Sequence, residues 1–231
     1  MLQTLTTNLD LTAFAWFVVT ISLYRLTLRS ASLERRSIVG AVQEHRIAWM
    51  KNMALRDPRV LDAVLLGSLS HGNAFFASTA AIGIGGLAAL FGTGDKAQAI
   101  IERLPYAQKS TAMLYEVKLI LLMAIFVYAF FKFVWAFRLS HYVAIMIGST
   151  PLPKADNTDE CELHARRTAR LIGIAAEHAN GGLRSFYYAF AALTWFYHPL
   201  LFMACTTGVL AIMIRRDYFS RSRRLLDGTW P

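Results

Sequence analysis

Four runs of about twenty mostly apolar residues limit what this chain can become. They are LTAFAWFVVTISLYRLTL (11–28), GNAFFASTAAIGIGGLAALFG (72–92), AMLYEVKLILLMAIFVYAFFKFVWAF (112–137) and the stretch from Arg184 to Ile214 (184–214). A bilayer core about 30 Å thick is crossed by about 20 helical residues, so each run is long enough to span. None alternates polar with apolar residues, which argues against a barrel strand. The expected fold is all-α: an integral membrane four-helix bundle with amphipathic cytoplasmic helices, in one transmembrane domain over 1–231.

Charge is sparse and clumped. Charged residues make up 17% of the chain while 55% is hydrophobic, and the net charge is +9. A soluble domain carries about 25% charged residues. No nucleic-acid module accompanies the basic residues, which flank the apolar runs and read as contacts to anionic lipids and as orientation signals. Fifteen Lys and Arg fall in the connections after spans one and three, against nine in the connection after span two and the tail. That places both connections in the cytoplasm and both termini outside it, in a bacterial inner membrane. MLQTLTTNLD has no Lys or Arg and no small-residue cleavage site follows, so the first run reads as a retained anchor.

Both cytoplasmic connections carry helical patterns. Over 33–55, Ile38, Val42, Trp49 and Met53 share a face that Arg35, Arg46 and Lys51 avoid, as in an interfacial helix packed on lipid or on the bundle. Over 159–179, acidic residues follow an Asp/Asn/Thr cluster that suits a helix N-terminus, and Glu162, Arg166 and Arg170 recur at four-residue spacing. RLSHYVAIMIG can continue span three beyond the membrane as one long helix. Cys161 and Cys205 match no disulfide or redox spacing and read as packing residues.

Several residues invite a functional reading. Ala77, Ala81, Gly85 and Ala89 form a small-residue ridge along span two, suited to close packing within one subunit or between subunits. Glu116, Lys118 and His198 are the candidate pore-lining residues, because ionisable groups in spans usually face a bundle interior or water. Snorkelling to the interface is the alternative for the two charged ones. His71 and His141 fall near one membrane face, which makes a bis-imidazole haem conceivable. No metal or haem motif accompanies them, and the primary expectation is no cofactor. The sequence also lacks HExxH, GxSxG and a carboxylate dyad on one helix face, so an enzyme lacks support.

The polar mouth of span four, EHANGGLRSFYY, carries the motif Glu177, Asn180, Gly181, Arg184 and Tyr187. Asn180-Gly181-Gly182 reads as a turn that ends the amphipathic helix, since these residues tolerate positive φ. Arg184 would then close onto Glu177 across the turn, or meet an anion at the new helix N-terminus. Pro199, next to His198, predicts a kink within the span.

At NGGLRSFYYAFAALTWFYHPLLF, EHRIAWMKNM and GNAFFASTAAI the chain resembles a family of bacterial and plant membrane proteins. That family is catalogued as domain of unknown function five hundred and ninety-nine. The likeness runs from the first span to RRDYFSRS, with Asn180, Gly181, Arg184 and Tyr187 its most specific part. It implies a four-span integral membrane fold and carries no activity with it. The resulting expectation is a homo-oligomeric pore or conduit for ions or small solutes. The alternative is a redox or assembly subunit of a larger membrane complex, holding haem through His71 and His141.

Overall fold

The computed structural model describes residues 2–29, 37–154 and 156–228, all helix and connection with no strand among them. We number the helices α1 (Leu2–Arg29), α2 (Ile38–Ala54), α3 (Val60–Gly92), α4 (Gly94–Glu102), α5 (Ala112–Gly148), α6 (Thr158–Leu193), α7 (Pro199–Phe219) and α8 (Arg221–Leu226). Four of them, α1, α3, α5 and α7 with its continuation, contain stretches long and apolar enough to cross a membrane. Leu11, Val19, Ile82, Phe131 and Ile212 are exposed on these helices, as lipid-facing residues are. The core is built from smaller and aromatic side chains: Ala13, Phe17, Ala129, Phe133, Ala192, Trp195 and Phe202 are all buried.

The chain path follows from contacts between distant residues. Asp10 near the start of α1, Gln108 before α5, Lys118 on α5 and Trp195 after α6 meet at one end of the bundle, here the Asp10 end. Tyr24, fourteen residues further along α1, meets Asp217 near the end of α7, about 21 Å away at 1.5 Å per residue. The helices α1 and α7 therefore run in the same direction. At the second end, the arm end, α2 packs on α6, and the extended parts of α3, α5 and α6 enclose Met50, Met53, Leu66, Val143, Ala165 and Ile172. At about 55 Å, α5 is far longer than a bilayer core, and its last turns belong to this arm-end body.

The break in the fourth apolar run lies elsewhere than expected. Helix α6 continues through Asn180-Gly181-Gly182, none of which adopts positive φ. The chain turns instead at Tyr197-His198: a 3-10 turn over Thr194–Phe196 ends the helix, His198 Nδ1 accepts from the Leu200 N–H at 3.1 Å, and Pro199 opens α7. Pro at the first helical position loses no hydrogen bond, so it starts a helix here and kinks none. The expected span over 184–214 is thus two antiparallel pieces joined at the Asp10 end.

Packing explains why two glycines do not break α6. A Cβ on Gly182 would sit 2.6 Å from Cζ of Phe133, and one on Gly181 would rest 3.5 Å from the Lys132 stem. The glycine pair lets α5 side chains lie against the α6 backbone. Burial of Phe133, stacked on Phe76 at 5.3 Å, offsets a helix-propensity cost of about 1 kcal/mol per glycine.

The expected ridge divides in a related way. Ala77 is buried against α5, but Ala81, Gly85 and Ala89 are exposed, and the contact continues through Ala80, Gly83 and Leu87. A row of strict four-residue steps winds about 40° per step around a straight helix, so it leaves the contact face within two turns. A Cβ on Gly83 would meet the Phe126 ring at 2.9 Å, whereas one on Gly85 would meet nothing within 4 Å.

The start of α1 and the last described helix lie at opposite ends of the bundle. Helix α8 reaches α2, where His45 Nε2 lies 2.9 Å from the Leu226 carbonyl, so the C-terminal helix belongs to the arm end. The N-terminal helix begins at the other.

Candidate functional site: a basic cleft beside a buried ion pair

Each end of the α1–α7 pair holds a buried carboxylate. At the Asp10 end, Asp10 Oδ1 accepts from Trp195 Nε1 at 2.7 Å and lies 3.5 Å from Lys118 Nζ, while Oδ2 accepts from Gln108 at 3.2 Å. Lys118 also donates to Ser110 Oγ at 3.0 Å and sits over the Trp195 ring. The side chains of Asp10 and Lys118 are both almost wholly enclosed. Such a pair persists only when its remaining lone pairs and protons are satisfied, as these are by Trp195, Gln108 and Ser110.

At the other end of α1, Asp217 Oδ2 accepts from Tyr24 Oη at 2.6 Å and from Arg184 at 3.1 Å. Its Oδ1 accepts from Arg216 Nε at 3.1 Å. Arg184 lies over the Tyr24 ring and Arg216 over the Tyr187 ring. This cluster ties α1, α6 and α7 together.

Beside it opens a cleft of 320 Å³ between α1, α5 and α6. Arg25, Lys132 and Arg184 line it together with Tyr128, Tyr188 and a single carboxylate, Glu177. Arg25 and Lys132 both lie against the Tyr128 ring, at 5.1 and 5.5 Å from its centroid. Neither forms an ion pair among the described residues, and Arg184 Nε is buried without a hydrogen-bond partner. Lys132 Nζ approaches His178 Nδ1 at 3.5 Å. Burial, and then the Lys132 charge, hold the His178 imidazole below its usual pKa, so its ring accepts from the ammonium. The cleft therefore presents positive charge on partly apolar walls, where an anion is attracted more strongly than in open water.

Of the motif in EHANGGLRSFYY, Glu177, Gly181 and Arg184 line this cleft, whereas Asn180 and Tyr187 do not. The expected bond from Arg184 to Glu177 is replaced by the bond to Asp217. In an unbroken helix those two residues are separated by nearly two turns, about 10 Å along the axis. Tyr187 accepts from Arg216 at 3.3 Å instead.

Glu116, Lys118 and His198 are all near the Asp10 end but do not share a cavity. Lys118 is locked to Asp10, Glu116 is exposed in a groove with Lys96 and Gln98, and His198 caps α7. His71 and His141 border one groove between α3 and α5, both exposed. His141 Nδ1 lies 3.0 Å from the Phe137 carbonyl. Sequence reasoning missed Asp10, Tyr24, Trp195 and Asp217. The signal was present in Lys118, a cation inside the third apolar run that needs a carboxylate, and in Asp10 and Asp217 at the edges of the first and fourth runs.

This architecture defines a helical multi-pass membrane protein whose polar side chains gather at the two ends of its spans. Over residues 12–222 the chain matches the family described as Protein of unknown function, DUF599, and it belongs to that family. No curated protein and no solved structure matches it.

Proposed function

We propose that this protein is a homo-oligomeric inner-membrane conduit for a small anion, with the Arg25–Lys132–Arg184 cleft as its cytoplasmic mouth. The observation that carries the reading is three cations facing one cleft against a single carboxylate. Orientation is supported by the path of the chain. With the tail joined to the arms, eighteen of the 22 Lys and Arg among the described residues belong to the arm end and only Lys96, Arg103, Lys109 and Lys118 to the other. The positive-inside rule makes the arm end cytoplasmic, against the anionic lipids of that leaflet. Assembly is supported by Ala81, Gly85 and Ala89, which leave an unobstructed small-residue strip on the outside of the subunit.

The test is flux of chloride, phosphate and sulfate from liposomes holding the purified protein. Arg25→Gln and Lys132→Gln remove cleft charge without touching Asp217. We expect each to slow anion efflux at least tenfold while the melting temperature stays near wild type. Efflux equal to that of protein-free liposomes, or efflux indifferent to both variants, refutes the conduit.

A second reading, a haem-bearing redox or assembly subunit, is favoured by the groove that His71 and His141 share. It requires a Soret band in the purified protein that disappears in His141→Ala.

A further inference from the structure

The arm end contains a second cavity, of 500 Å³, between α2, α3, α5 and α6. Its walls are largely apolar, with Trp49, Leu66, Leu69, Val143 and Ile172 among them. The volume lies within the range of cavities that hold small ligands, about 300–1,000 Å³. The polar groups at its edge are Arg46, His45, Asn73 and Ser140, and no lining residue is acidic.

Arg46 distinguishes this cavity from an ordinary packing defect. Its guanidinium is half-buried and donates to Gln43 Oε1 at 3.2 Å, with no carboxylate bonded to it among the described residues. Burial depresses its pKa, and no neighbouring carboxylate offsets the effect. Asp62, which Trp49 contacts at 2.7 Å, is engaged by Arg56 and does not line the cavity. Partial burial of a cation costs free energy unless a counter-charge is supplied. Around Arg46 the described residues supply none.

The other polar edges are partly committed. Ser140 Oγ donates to the Ala136 carbonyl and His45 is engaged by Leu226, whereas the Asn73 side chain has no hydrogen-bond partner among the described residues. An occupant that complements these walls has one anionic head for Arg46, a hydrogen-bonding group within reach of Asn73, and a hydrocarbon chain for the apolar interior. The cavity lies beneath α2, the helix whose sequence pattern reads as interfacial.

We propose that this cavity binds a single-chain anionic amphiphile, a long-chain carboxylate, with Arg46 on the carboxylate and Leu66, Leu69, Val143 and Ile172 around the chain. The site is separate from the basic cleft and stands or falls independently of the conduit.

The experiment uses the full chain in nanodiscs and a photoactivatable diazirine analogue of palmitate, with label positions mapped by peptide mass spectrometry. Saturable labelling is expected on peptides containing Trp49, Leu69 or Ile172, competed by unlabelled palmitate and at least tenfold less by hexadecanol. Arg46→Gln should cut that labelling at least fivefold. Ala176→Phe, which fills the cavity, should abolish it while labelling of lipid-facing residues on α1 and α7 persists. Labelling spread evenly over lipid-facing surfaces, or equal competition by hexadecanol, overturns the proposal on the wild-type protein alone, whatever becomes of either variant.

Discussion

Asp217 has two oxygens and three donors, supplied by Tyr24, Arg184 and Arg216, and its side chain is only 3% exposed. Arg184 therefore depends on α7 for its counter-charge, not on its own helix. Asp217→Asn leaves Arg184 uncompensated, and breaking a buried pair costs about 3–5 kcal/mol, the upper bound here because Arg184 retains some exposure. Removing both charges makes the contact between positions 184 and 217 neutral and leaves Arg216, whose side chain is 39% exposed, to solvent. The double variant Arg184→Gln with Asp217→Asn is expected to lose less stability than the two single losses summed, by denaturant unfolding in detergent. Additive losses would mean that the pair contributes no coupling. The same logic holds at the far end, where Asp10→Asn should destabilise the fold less in a Lys118→Met background than in the wild type.

Helices in this protein are placed by where backbones can approach, and the glycines divide accordingly. Gly182→Ala drives a Cβ into the Phe133 ring, and overpacking of this kind costs about 1–3 kcal/mol. Coupling it with Phe133→Leu should recover part of the loss, a rescue that a simple change in helix propensity would not show. A Cβ at Gly85 meets no atom of the subunit within 4 Å, so for Gly85→Leu the monomer should melt normally while particle mass in detergent falls if the exposed strip joins subunits. The arms are held differently. Lys51 and Arg166 both bond Glu162, at 2.8 and 2.7 Å, and pull its carboxyl pKa down from its ordinary value to about 2. A carboxyl depressed in the folded state adds stability that is complete above its unfolded pKa and disappears as pH falls through the folded one. Amide exchange in α2 should therefore quicken between about pH 4.5 and pH 2. Glu162→Gln should remove that pH step, and an unchanged step would place the responsible group elsewhere.

For the whole molecule, opposite placement of the two chain ends is the feature with the widest consequence. It gathers the basic tail with the basic arms and turns a divided charge pattern into a one-sided one. In a Cys161→Ser, Cys205→Ser background, Lys109→Cys is expected to react with an impermeant maleimide in intact cells. Ser222→Cys is expected to react only after lysis. Reaction of both from outside would return the tail to the far side and undo the orientation assigned to the cleft.

Membrane residence, helical class and the presence of four stretches apolar enough to span were legible in the sequence, because transfer of apolar side chains is additive along a run and needs no knowledge of neighbours. The extension of α5 through Gly148 and the Glu162–Arg166 pair were legible too, since both are local to one helix. Where the fourth run breaks was not. Asn180-Gly181-Gly182 carries stronger local turn chemistry than Tyr197-His198, yet Phe133 and Lys132 arrive from α5 and keep the glycines helical. The counter-charges of Lys118 and Arg184 were hidden for the same reason. Asp10 is 108 residues from Lys118 and Asp217 is 33 residues from Arg184, and only folded proximity brings each pair within bonding distance. The sequence by itself determined which segments leave water; the tertiary structure decided which charges meet, because a buried charge is stabilised by whatever partner packing delivers, however far along the chain it lies.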